Sequence, residues 1–174
     1  MKYLLSIGIM VLFFSSFFAG CEKIQSYPAT PQIKYKNFWV RDTTLIEGEA
    51  IRLGTLSFTF VDGDGDFGLF EPDSGETDTT KLYNLYFKFY QKINGAFIQD
   101  TNLKSKPYYP VYFTEAMRRE GQDKTLKGTV AVNLEYYVIN YDTIKYEFFI
   151  VDRAQNKSNV EETPELVLRP EPEK

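Results

Sequence analysis

Apolar and polar residues alternate along most of this chain. In residues 84–93 (NLYFKFYQKI), Leu85, Phe87, Phe89 and Ile93 fall on one face, and Tyr86, Lys88, Tyr90 and Lys92 on the other. A period of two is the repeat of a strand with one buried face. The same period runs through residues 128–139, where Val130, Val132, Leu134, Tyr136 and Val138 share a side. It runs through 143–151 with Ile144, Tyr146, Phe148 and Ile150, and through 56–60 with Leu56, Phe58 and Phe60. Shorter candidate strands lie at 33–40, 96–100, 108–113 and 165–168. Helical signal is confined to TEAMRREG (114–121), one or two turns with Thr114 as cap and Gly121 as stop.

Seven or eight short strands over about 140 residues, separated by turn residues, predict an all-β antiparallel sandwich with at most one short helix. Composition agrees, because 15 Phe and 13 Tyr favour strands over helices. The architecture expected for residues 32–168 is immunoglobulin-like or fibronectin-like. The disulfide and core tryptophan of antibody domains are missing, since the single Trp39 lies in the first candidate strand.

The first 20 residues break the pattern. A charged Lys2, an apolar run from Leu4 to Ala19 and then Gly20 have the layout of a secretory signal. The run ends in FAGC, which resembles the lipobox of lipoproteins. That resemblance implies a lipid-modified Cys21 as the mature N-terminus and membrane attachment through it. The alternative is an ordinary secretory signal in which Cys21 has no special role. Cys21 is the only cysteine, so the body is expected to fold without disulfides. Two or three acyl chains anchor a protein firmly. Residues 21–31, polar and with two prolines, are expected to form a tether, and the charged RPEPEK (169–174) a flexible tail.

Removal of residues 1–20 leaves 19 basic and 24 acidic side chains, a net charge of −5. An acidic body disfavours nucleic acid, and no run of basic residues along the sequence marks an anionic-lipid site.

The acids are concentrated. Between Leu53 and Thr80 lie Asp62, Asp64, Asp66, Glu71, Asp73, Glu76 and Asp78, with no Lys or Arg among them. The first three sit in FTFVDGDGDFGLF (58–70), interleaved with glycines. Ca²⁺ takes six to eight oxygens, and carboxylates on a curled backbone supply them. In an EF-hand register Asp62, Asp64, Asp66 and Asp73 would occupy positions 1, 3, 5 and 12. Phe67 would then occupy position 6, which requires Gly, and a strand rather than a helix leads into the loop. The EF-hand is excluded. A tight turn explains the same residues, because Asp-Gly pairs are strong turn formers.

A second polar segment, IVDRAQNKSN (150–159), follows the strand at 143–151. In an immunoglobulin-like sandwich the loops after the second and sixth strands emerge at one end. Asp152 and Asn156 are therefore expected beside Asp62, Asp64 and Asp66. Carboxyl groups far beyond about 8 Å apart would exclude a shared cation.

Together the lipobox, FTFVDGDGDFG and VDRAQNKSNV resemble a group of small, largely uncharacterised lipoproteins of Bacteroidota. The resemblance implies an outer-membrane lipoprotein with a β-sandwich body and no particular reaction. Surface-exported members carry an acidic run after the cysteine. Here Glu22 is followed by Lys23, which leaves open the side of the membrane that the protein faces.

The chain has no histidine, which removes Ser-His-Asp and Cys-His nucleophilic machinery and His-ligated zinc. No P-loop or dinucleotide fingerprint is present. The expected function is a non-catalytic, membrane-tethered interaction or structural module with a protein partner in the envelope; Ca²⁺ at the Asp-rich loop would stabilise it if that loop is more than a turn. The alternative is glycan binding through tyrosines such as Tyr86 and Tyr90. A carboxylate-based hydrolase is the remote third reading.

Overall fold

The computed structural model describes residues 26–46, 48–101, 108–119, 121, 123–137 and 142–168. The expected signal segment, Cys21, Val138 of the strand expected at 128–139, and the expected tail 169–174 lie outside the described residues. Nine strands among the described residues form two antiparallel sheets, an all-β sandwich. They are β1 (Gln32–Thr44), β2 (Ala50–Asp62), β3 (Leu85–Ile93), β4 (Ala96–Gln99), β5 (Tyr108–Tyr109), β6 (Leu126–Tyr136), β7 (Thr143–Ile150), β8 (Glu161–Glu162) and β9 (Leu166–Val167). The first sheet has the order β1-β2-β6. In the second, β3 and β7 are central, β4 and β5 share the outer edge of β3, and β8 and β9 follow one another along the outer edge of β7. This is the A-B-E against C-F-G pairing of immunoglobulin-like sandwiches.

The alternating residues form the core. Leu56, Phe58 and Phe60 of β2 face Leu85, Phe87 and Phe89 of β3 and Ile144, Phe148 and Ile150 of β7, all in one buried cluster. Phe58 and Phe148 meet across the sandwich with ring centroids 5.4 Å apart. Each such side chain contributes about 1.5–3 kcal/mol by leaving water.

Three local features depart from simple alternation. A bulge between Tyr35 and Asn37 shifts the register of β1 against β2. Ile33 and Tyr35 precede it on the core face, and Phe38 and Val40 resume that face after it. Trp39 is thereby turned outward and is half exposed. The β3–β4 hairpin closes through Asn94 and Gly95, both at positive φ, as a two-residue turn with Asn-Gly requires. Ile93 stands at that turn and is exposed rather than buried. The strand expected at 108–113 is reduced to β5, because Pro110 has no N–H for the ladder; beyond it, Tyr112 makes only an isolated bridge to Leu69.

Helical structure is slight among the described residues. The segment 114–121 forms only a 3-10 turn, Glu115–Met117, and one turn of α-helix, α1 (Thr79–Leu82), is capped by Asp78. The two sheets are stitched along one side by an amide. Asn159 Nδ2 donates to the carbonyl of Ile33, and the N–H of Ile33 donates to Asn159 Oδ1, at 2.9 and 2.8 Å. A side chain here pairs with the open edge of β1 as a strand would.

Candidate metal centre

The strand period carries to the last residue of β2 and past the end of β7. On β2 the core face reads Leu56, Phe58, Phe60 and then Asp62. On β7 it reads Ile144, Tyr146, Phe148, Ile150 and, two residues on, Asp152. Both aspartates are therefore aimed inward at the same pole, one from each sheet, and both are almost fully buried. Asp66, in the loop between β2 and β3, joins them. One carboxylate oxygen from each of Asp62, Asp66 and Asp152 lies within 4.8 Å of the others. That spacing is about twice the Ca²⁺–oxygen distance of ~2.4 Å.

Of the sequence-derived candidates, Asp64 is exposed but close enough to Asp62 and Asp66 to perturb both. Asn156 acts on Asp152, donating its backbone N–H to Oδ1 at 2.7 Å and its Nδ2 to Oδ2 at 2.9 Å. Asp73 is not in the cluster; it is exposed, and its carbonyl closes a turn with Glu76. Tyr86 and Tyr90 sit on the outer face of β3 and are not part of the carboxylate cluster. Tyr86 stacks on Phe149 at 5.2 Å and donates its hydroxyl to the carbonyl of Tyr83, and Tyr90 donates to Glu147.

The loop is held by residues that the sequence did not single out. Phe67 is fully buried and stacks flat on Phe60 at 3.7 Å, while its N–H donates to Asp62 Oδ2 at 2.8 Å. The residue that breaks the EF-hand register is thus the plug that anchors this loop in the core. Arg153 reaches across from the second loop and donates to the carbonyls of Gly65, Phe67 and Gly68. Its guanidinium lies over the rings of Phe70 and Phe113, at 4.5 and 5.1 Å. Ala154 N–H donates to Asp66 Oδ2 at 2.8 Å. The signal available for Arg153 was its place beside Asp152, but no spacing rule predicts a guanidinium capping three carbonyls.

The remaining oxygens carry the chemistry. Asp62 Oδ1 and Asp66 Oδ1 are buried with no hydrogen-bond donor. Asp64 offers either of them a hydrogen bond only when one of the pair is protonated; as carboxylates they repel. Burial pushes Asp62 up to about 7, opposed by the Phe67 N–H and assisted by Asp64 and Asp66. Burial likewise raises Asp66 to about 6, assisted by Asp152. A buried acceptor without a partner costs about 1–3 kcal/mol, and more when charged. A proton or a cation removes that cost.

The N-terminal segment crosses this pole. The N–H of Gly63 donates to the carbonyl of Pro28 at 2.9 Å. A Cβ on Gly63 would stand 2.2 Å from the Tyr27 carbonyl oxygen. Lys127 holds Tyr27 from the other side, its ammonium 3.8 Å from the ring centroid. No protein-family model matches the chain, nor does any curated protein or solved structure.

Proposed function

We propose that the protein is a non-catalytic β-sandwich module, tethered to the outer membrane through Cys21 and cross-braced at one pole by a divalent cation, with Ca²⁺ the fitting ion. One observation carries the cation: two buried carboxylate oxygens without donors, at the end of β2 and in the loop after it, converge with a third carboxylate from the loop after β7 at coordination spacing. Hard oxygen ligands suit Ca²⁺, whose flexible coordination accepts water in the remaining positions. The ion joins the loop after β2 to the loop after β7 and so fixes the two sheets at that end. The raised carboxyls do not favour hydrolysis, because their orphan oxygens are shut away from any substrate. The tether and the absence of a helix long and apolar enough to cross a membrane among the described residues are compatible with lipid anchoring.

Thermal unfolding of the mature chain in Ca²⁺ and in chelator tests this reading. A ligand at a hundred times its dissociation constant adds about 2.7 kcal/mol, which raises Tm by several degrees in a domain of this size. The Asp152→Asn variant is expected to lose that rise. An unchanged Tm at millimolar Ca²⁺ sinks the cation reading.

Glycan binding has one observation in its favour. The half-buried Tyr86 lies flat on Phe149 beside a Tyr83–Tyr108 pair at 4.2 Å, which makes an aromatic surface on the outer face of the second sheet. Reproducible glycan-array binding lost in Tyr86→Ala would favour it.

A further inference from the structure

The sequence shows no basic run, but the fold assembles a basic cluster. Arg118 and Arg119 follow the 3-10 turn, and Lys124 precedes β6; all three are exposed. They line one open pocket of 370 Å³ together with Phe70, Phe113 and Met117. Phe70 is 61% exposed, the most exposed aromatic side chain of the described residues. Four basic side chains, Arg153 included, meet two carboxylates in that pocket, Asp64 and Asp66, in a chain whose net charge is negative. Arg118 is ion-paired with Glu115 through two hydrogen bonds and Arg153 is spent on loop carbonyls, so Arg119 and Lys124 are the cations the patch offers.

This patch stands at the pole where the tether arrives. Gly65 lies against the carbonyl of Lys124, and Gly63 against Tyr27 and Pro28. Six residue steps separate Tyr27 from Cys21, and a fully extended chain spans at most about 3.6 Å per residue. The pole is therefore held within about 20 Å of the acyl chains. Resting on the lipid-anchored reading, we propose that this pole docks on an anionic lipid surface, with Phe70, Phe113 and Met117 at the headgroup boundary and Arg119 and Lys124 against lipid phosphates. Aromatic rings and basic side chains with apolar stems are the residues that settle at such a boundary. Each Lys or Arg near an anionic surface adds to the attraction within a Debye length.

The test uses the mature lipoprotein reconstituted in vesicles of phosphatidylcholine, alone or with phosphatidylglycerol. Flotation reads the anchor, and amide hydrogen exchange reads the pole. The expected result is flotation with both compositions. Exchange in 64–70 and 113–119 should slow at least severalfold only when phosphatidylglycerol is present, and revert at high salt. Charge reversal at two exposed positions, Arg119→Glu with Lys124→Glu, should abolish the slowing while flotation persists. Flotation with equal exchange in both compositions overturns the docking and leaves the anchor standing. Failure to float overturns the anchor and the docking with it. Slowing that appears in neutral vesicles and grows with protein density assigns the patch to a second copy instead, and also overturns the proposal.

Discussion

Asp62 is a core residue by position and a surface residue by chemistry. The β2 period aims it inward after Phe60, and its burial then raises its proton affinity. The consequence for stability has a definite sign. In the unfolded chain Asp62 and Asp66 ionise near 3.9, and in the folded, cation-free protein near 7 and 6. Between those values the folded state binds more protons than the unfolded one, so stability falls as pH rises from about 4 to about 7. Urea unfolding in chelator is expected to give a lower midpoint at pH 8 than at pH 5. Asp62→Asn should flatten the difference, and saturating Ca²⁺ should remove it. A midpoint that rises over this interval in chelator contradicts the burial argument. At this scale much was legible: carrying the alternation to the end of β2 and one inward step past β7 points at Asp62 and Asp152. Phe67 was not, because nothing in local spacing says that a loop residue returns to the core.

The elements show where pattern reading succeeds and where chain chemistry intervenes. Long alternating stretches became β3, β6 and β7 nearly as the period predicts. The β1 bulge was invisible, since one extra residue changes which side chains face inward without changing composition. The short strand at 108–109 depends on Asn84, a fully buried side chain outside any strand. It accepts from the Val111 N–H at 2.7 Å and donates to the Val111 carbonyl at 3.2 Å. Asn84→Ala should therefore leave the Val111 N–H unpaired, while the Val111 carbonyl keeps the Leu69 N–H at 2.8 Å. The cost is about 1–3 kcal/mol, read as a lower denaturant midpoint with an unchanged slope. Gly63 sets a second element-level constraint. Gly63→Ala drives a methyl into the Tyr27 and Pro28 carbonyls. Overpacking of this kind costs about 1–3 kcal/mol. It should also lift residues 26–31 from the pole, seen as faster proteolysis ahead of β1. Equal cleavage rates in the two proteins would show that this segment is held by other contacts.

At the scale of the whole molecule, the sandwich brings together what the sequence keeps about ninety residues apart. The three converging carboxylates come from the last residue of β2, the β2–β3 connection and the β7–β8 connection, and the basic patch from a further connection, before β6. The sandwich architecture and the shared pole were legible from strand order alone. The basic patch was not, because charge runs are read along the chain whereas patches form across it. The same assembly has a mechanical meaning. If the anchor holds Cys21, any pull on the body enters through Pro28 and Gly63 and passes into β1 along its own axis. Twelve register pairs join β1 to β2, and their hydrogen bonds run perpendicular to the strands. Such a load shears the ladder, so the bonds resist together rather than opening one after another as in peeling. Anchored in that way, the body would resist a pull from its N-terminal end through the whole β1–β2 ladder at once.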